Sequence, residues 1–183
     1  RMQRGGFGAA EAVEYLRPGV YVISDERRQR LVQVQVDADT RSLAAAQAEP
    51  LTLNFNAGNN KGFEGLAYDT KGQRLFIAKE RDPVQIIEVR GFPKLDPATP
   101  TSLGVISNRQ RDAGIFVRDL SSLQFDERSG HLLALSDESR QILELDIEGR
   151  PVGSTSLKKG QMGLNKTVPQ AEGLAMDDAG TLY

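Results

Sequence analysis

Phe63-Glu64-Gly65-Leu66-Ala67-Tyr68-Asp69 and Ala171-Glu172-Gly173-Leu174-Ala175-Met176-Asp177 are two copies of one phrase. Looser copies stand at Ala10-Glu11-Ala12-Val13 and Leu120-Ser121-Ser122-Leu123-Gln124-Phe125-Asp126. The acidic position falls at Glu11, Glu64 and Glu172, with Ser121 in its place in the third copy, so successive copies lie 53, 57 and 51 residues apart. That period is slightly longer than the roughly 40 to 50 residues of a four-stranded propeller blade. Each repeat therefore predicts one blade, and the chain an all-β fold: a β-propeller of four-stranded blades.

The residues after each phrase repeat too. Asp69-Thr70-Lys71-Gly72, Asp126-Glu127-Arg128-Ser129-Gly130 and Asp177-Asp178-Ala179-Gly180 each separate two short apolar runs. Asp caps its own backbone and Gly tolerates positive φ, so these are hairpin turns joining first and second strands. Third strands are expected at Leu31 to Val36, Val84 to Val89 and Ile142 to Ile147. In the first and last of these, apolar and polar residues largely alternate, the period of a sheet with two unlike faces. Leu51-Thr52-Leu53 and Val152 to Leu157 are the candidate fourth strands, and Ser42 to Ala48 is the one stretch allowed to be helical. Gly91 to Arg118 and Lys158 to Gln170 read as long connections, the place to look for ligand specificity.

Composition fits one globular body over residues 1–183, with 39% hydrophobic and 26% charged residues. A net charge of −2 implies no general attraction to nucleic acid. The arginines at Arg27, Arg28 and Arg30, and at Arg109, Arg111 and Arg118, are interleaved with acids and read as solvated surface. The chain has no cysteine, which removes disulfides and thiolate metal sites from consideration. No run approaches the roughly 20 apolar residues of a membrane span, and no signal peptide is visible at Arg1, which leaves a removed targeting segment open. Three units are complete and a fourth begins at Glu172, so the expectation is an incomplete propeller, about three blades plus the start of another, with flanking or disordered parts missing.

The ordered set Lys61-Gly62-Phe63-Glu64-Gly65-Leu66-Ala67-Tyr68, Ala78-Lys79-Glu80-Arg81-Asp82-Pro83, Asp119-Leu120-Ser121-Ser122-Leu123, Leu135-Ser136-Asp137-Glu138-Ser139 and Pro169-Gln170-Ala171-Glu172-Gly173 resembles the SdiA-regulated family of bacterial proteins. Single Glu-Gly phrases also occur in other propellers, including those with NHL repeats; the ordered set is more specific. The resemblance implies a five-bladed propeller with a calcium site. It also implies an exported or membrane-associated protein of the cell envelope, periplasmic or membrane-anchored, with no established biochemical activity.

First strands line a propeller axis, so Glu11, Glu64 and Glu172 are expected to bring three carboxylates to one opening. At roughly 8 Å and an effective dielectric near 20, each pair would repel by about 2 kcal/mol. Three readings of these acids stand: hydrogen-bonded latches between blades, ligands of a cation, or catalytic groups. If a cation is held, an all-oxygen set without paired His or Cys favours Ca²⁺. A second acidic set at the ends of the second strands, Asp25, Glu80 and Asp137, could rim a pocket, but each has Arg or Lys within a few positions, which favours inter-blade ion pairs or turn caps.

Nucleophilic catalysis has little support. His131 follows a turn, Ser121 and Ser122 have no visible base, and no triad can be assembled. Arg4 to Gly8 lacks the strand-to-helix context of a phosphate loop, and Asn165-Lys166-Thr167 reads as a chance sequon. The function expected is a noncatalytic, calcium-containing binding or scaffold module for an unknown small molecule or protein partner, with no nucleic acid bound. The alternative is a calcium-dependent hydrolase of the lactonase or phosphoesterase type.

Overall fold

The computed structural model describes residues 3–44, 50–53, 62–95, 98 and 101–183. The fold is all-β, built on three four-stranded antiparallel sheets. Strand β1 (Gln3–Gly5) lies outside them and pairs in parallel with β5 (Ser42–Ala44). Sheet 1 runs β2 (Ala10–Arg17), β3 (Val20–Asp25), β4 (Arg30–Gln35) and β6 (Pro50–Thr52). Sheet 2 runs β7 (Phe63–Asp69), β8 (Arg74–Lys79), β9 (Gln85–Arg90) and β10 (Gly104–Ser107), and sheet 3 runs β11 (Ser122–Asp126), β12 (His131–Ser136), β13 (Gln141–Leu145) and β14 (Pro151–Ser156). A fourth hairpin begins where the last phrase does. Met176 bridges Leu182, and Ala175 and Tyr183 exchange both backbone hydrogen bonds, at 3.0 and 2.8 Å.

The hairpin turns follow the chemistry of their residues. The Gly130 N–H donates to the Asp126 carbonyl at 2.8 Å and the Gly180 N–H to the Asp177 carbonyl at 2.9 Å, with φ of 76° and 85° at the two glycines. In sheet 2 the left-handed residue is Gln73, and the Gly72 N–H instead donates to the Asp69 carboxylate at 2.7 Å.

The sheets stack in chain order in a propeller-like arrangement, with the first strand β7 beside both β2 and β11. One apolar cluster joins sheets 1 and 2 through Leu16, Val22 and Leu31 against Leu66, Tyr68, Leu75 and Ile77. The other joins sheets 2 and 3 through Ala67, Phe76, Ala78 and Ile86 against Leu123, Phe125, Leu132 and Leu143. Successive residues of β7 and β8 thus go to opposite cores. Sheet 2 is covered on both faces, which is why its strands read as nearly continuous apolar runs while β4 and β13 alternate. Each fully buried Leu, Ile or Phe contributes about 1.5–3 kcal/mol. The stack is close enough at one point to forbid a side chain: a Cβ on Gly65 would lie 2.6 Å from the Leu123 nitrogen and 2.8 Å from the Ser122 carbonyl carbon.

Four expectations are corrected. Ser42–Ala44 is a strand, because it pairs with β1; residues 45–48 lie outside the described residues. The α-helix forms instead at Arg109–Ala113 (α1), where Asn108 Oδ1 accepts the N–H groups of Gln110 and Arg111, both at 3.0 Å. The connection Gly91 to Arg118 holds β10 as well as α1. Nor are all the arginines solvated. Arg111 is 1% exposed and donates to the Ile86 carbonyl at 3.0 Å. Its guanidinium stands 3.6 Å from the Glu88 carboxylate and 5.5 Å from the Phe76 ring centroid. A counter-charge and an aromatic face are what let a guanidinium leave water. Arg30 is partly covered and pairs with the buried Asp25 carboxylate at 2.9 Å, whereas Arg28 reaches the same carboxylate at 3.4 Å and stays exposed, as expected.

Candidate functional site

The acids at the starts of the first strands stand at breaks in the ladder. Pairing of β7 with β8 shifts between Phe63 and Gly65, leaving Glu64 as the extra residue, and pairing of β2 with β3 shifts between Ala10 and Val13, around Glu11. In sheet 3 both the N–H of Ser121 and the ladder position of Ser122 fall on Leu135. A bulge unpairs one residue and re-aims its side chain, which is how a strand delivers a group to a site.

Strand register changes the membership of the second acidic set. Ala10 pairs with Asp25 and Phe63 with Lys79, and the third strands begin opposite Asp25, Lys79 and Ser136. The residue just beyond each second strand is therefore Glu26, Glu80 or Asp137. Asp25 belongs one position earlier. It is a cap with two arginine partners, as the ion-pair reading expects, and its carboxylate accepts the N–H groups of Gly8 and Ala9 at 3.0 and 3.1 Å. Burial pushes the Asp25 carboxyl up, but these two N–H groups with Arg30 and Arg28 outweigh it and hold the group below its ordinary value.

Glu26 is brought beside Glu64. A Cβ on Gly62 would meet Oε1 of both, so the bare glycine backbone lets the two carboxylates sit as they do without moving aside. The carboxyl of Glu64 is pushed up to about 7, first by burial and then by the charges of Glu11, Glu26, Glu80 and Glu172. Glu26 is raised for the same reasons, by burial and by Glu11 and Glu80, against the opposing pull of Arg27 and the Gly62 N–H. The charges of four carboxylates, drawn with Glu64 itself from the first, second and fourth repeats, thus bear on Glu64. Among the described residues no group of three or more His, Cys, Asp or Glu side chains has the arrangement of a metal site.

Latching between units falls mainly to residues other than the three first-strand acids. From sheet 1 to sheet 2, the Ser24 hydroxyl donates to the Phe63 carbonyl at 3.0 Å and Glu14 Oε1 accepts the Tyr68 N–H at 2.9 Å. From sheet 2 to sheet 3, the Leu120 N–H donates to the Glu80 carbonyl at 3.1 Å and Lys71 Nζ to the Glu127 carbonyl at 2.9 Å. From sheet 3 onward, Asp137 Oδ1 accepts the Ala171 N–H at 2.9 Å, the Ser121 hydroxyl donates to the Ala171 carbonyl at 2.7 Å, and Ser122 Oγ accepts the Leu174 N–H at 3.1 Å. Ser121 and Ser122 are accordingly committed to a seam.

Glu14 escaped the sequence reading. Burial pushes its carboxyl up to about 8, with the Tyr68 N–H pulling the other way. The available signal was an acid three positions past Glu11, where the second and fourth copies have Ala67 and Ala175. His131 Nδ1 meets Glu144 Oε1 at 2.6 Å across neighbouring strands. In the glycine-containing segment before Gly8, the Gly6 carbonyl accepts from Arg28 and, at 2.8 Å, from Arg30, so arginines grip this backbone. The connection from Lys158 to Gln170 is turned back on itself by bonds from the Gly160 N–H to the Leu164 carbonyl and from the Val168 N–H to the Leu157 carbonyl, at 2.8 and 3.0 Å.

Compared with known proteins, residues 1–183 match the family model described as SdiA-regulated. Among solved structures, one described as the structure of U3-55K matches with a TM-score of 0.50 and 13% identity, over 88% of this chain and 43% of that one. At this identity the likeness is one of fold. The chain spans less than half the length of that structure.

Proposed function

This chain belongs to the SdiA-regulated family, and we propose that it is a noncatalytic binding or scaffold module of the cell envelope, part of a five-bladed propeller that holds Ca²⁺ at its axis. The observation that carries the cation is the state of Glu64. Glu64 is half-buried at the break in the β7–β8 ladder; burial, and then the charges of Glu11, Glu26, Glu80 and Glu172 that reach it, raise its carboxyl to about 7, so Arg27 and Arg81 offset the negative charge there only in part. A cation relieves such a cluster without protonating it. The donors are all hard oxygens, the chemistry of Ca²⁺ rather than of zinc or copper. Glu11, Glu64 and Glu172 would supply charge to the ion together with Glu26 and Glu80. Since no three acidic side chains among the described residues enclose a point, water is needed to complete its shell.

Calcium binding to the folded state alone raises the melting temperature. At a concentration 100-fold above Kd the gain is about 2.7 kcal/mol, worth about 5–10 °C in a domain of this size. Thermal melts of the full-length protein with and without millimolar Ca²⁺ should show this rise, and Glu64→Gln should abolish it. An unchanged melting temperature in the wild type would defeat the proposal.

A further inference from the structure

Beside the acidic cluster lies a cavity of opposite charge. Arg118, Glu138, Ser139, Arg140 and Lys158 line a pocket of about 350 Å³ on sheet 3. Three stretches of chain meet there: the approach to β11, the turn between β12 and β13, and the exit from β14. The single acid of the lining, Glu138, is engaged by Arg81 at 3.0 Å, and the same Arg81 pairs with Glu80 of the acidic cluster. Among the described residues Arg118, Arg140 and Lys158 form no ion pair. The Ser139 hydroxyl accepts the Arg118 N–H at 3.0 Å, which leaves its own proton to donate.

The charge is not demanded by the fold. Arg140 closes its turn with φ of 52°, and its carbonyl accepts the Leu157 N–H at 2.8 Å. In sheet 1 the corresponding residue is Gln29, with φ of 46° and the same bond from Leu53, also at 2.8 Å. An uncharged side chain therefore serves the same turn equally well, and left-handed backbone gives no reason to select arginine. Lys158, one residue past Leu157, corresponds in sequence to the uncharged Asn54 after Leu53. Sheet 3 thus carries a cation at Arg140 where sheet 1 carries the amide Gln29, and the sequence puts lysine after Leu157 where asparagine follows Leu53.

We propose that this pocket binds a small dianionic oxyanion, inorganic phosphate or the phosphate of a monoester. Two guanidinium groups offer forked N–H donors to tetrahedral oxygens, Lys158 adds a point charge, and the Ser139 hydroxyl adds a neutral donor. The volume lies at the low end of small-molecule sites, which admits the phosphate and a small organic group attached to it. The site is independent of the cation proposed above and requires none.

Isothermal titration calorimetry of the full-length protein, kept in chelator to remove divalent ions, tests this with inorganic phosphate against chloride and acetate at equal ionic strength. Phosphate should bind and chloride should not. Arg140→Gln, which installs the residue that sheet 1 tolerates at this turn, should weaken phosphate about tenfold or more, the effect of losing a charge-assisted hydrogen bond. Glu138→Gln should act in the opposite direction and tighten it. Binding no different from chloride, acetate as tight as phosphate, or equal phosphate affinity in wild type and Arg140→Gln would each overturn the proposal. A phosphomonoester binding more tightly than phosphate itself would identify the pocket as a site for the esterified group.

Discussion

Glu14 provides the sharpest quantitative test of the seam between sheets 1 and 2. Its carboxyl is pressed between β2 and β7, accepts the Tyr68 N–H at 2.9 Å, and is raised by burial from 4.5 to about 8. The folded protein therefore keeps this proton at pH values where the unfolded chain has lost it. The resulting stabilisation is fully present below pH 4.5 and is lost as pH rises through 8. Over that window stability falls by about 1.4 kcal/mol per pH unit, or about 3 kcal/mol by pH 7. Glu14→Gln keeps an oxygen for Tyr68 and cannot ionise. Thermal unfolding of both proteins from pH 4 to pH 8.5 should give coincident melting temperatures at the acid end. At pH 7 the variant should melt about 6–12 °C higher. Since Glu26, Glu64 and Asp112 are also raised, the wild-type curve alone does not isolate Glu14; the difference between the two proteins does. Parallel curves across the range would refute the reasoning.

Two further substitutions probe the second seam. Arg111→Met removes a guanidinium that touches Ile86, Glu88 and Phe76, and leaves the Glu88 carboxylate with Arg90 as its remaining ion-pair partner among the described residues. Urea unfolding should show a loss of about 1–3 kcal/mol, because the buried Ile86 carbonyl loses its charged donor while Glu88 keeps Arg90; a variant as stable as wild type would mean the guanidinium is dispensable. Gly65→Ala drives a methyl into the backbone of β11, so it should lower stability by about 1–3 kcal/mol although alanine is the larger hydrophobe. A neutral or stabilised variant would show that β7 and β11 can separate without loss.

Local chemistry made the hairpins legible. The Asp-to-Gly spacing at Asp126 and Gly130 specifies a turn whatever lies around it, and Val32 to Val36 alternates because β4 has unlike faces. Strand β10 was hidden for the converse reason. Gly104–Ser107 is a short outer edge with three of its four residues exposed, so no core imprints a pattern on it. The second acidic set is offset by one residue because Ser24-Asp25-Glu26 and Ser136-Asp137-Glu138 are alike in sequence, whereas ladder pairing aligns Asp25 with Ser136. Arg111 looked solvated because its partners, Ile86, Glu88 and Phe76, are all more than twenty residues away. The equivalence of Glu11, Glu64 and Glu172 is legible in the repeat, and the charges of Glu11 and Glu172 reach Glu64, while the contributions of Glu26 and Glu80 depend on where the second strands end.

The three junctions also differ in kind. A carboxyl and a hydroxyl key the first, a main-chain carbonyl, a lysine and the Arg81–Glu138 ion pair the second, and a carboxylate with two serines the third. Units with such similar outlines could dock in the wrong order while the polypeptide is collapsing. A misplaced neighbour would then bury an amide or hydroxyl with nothing to receive it, a penalty of about 1–3 kcal/mol for each orphaned group. Divergence among the repeats thereby favours the native order of neighbours over a shuffled one.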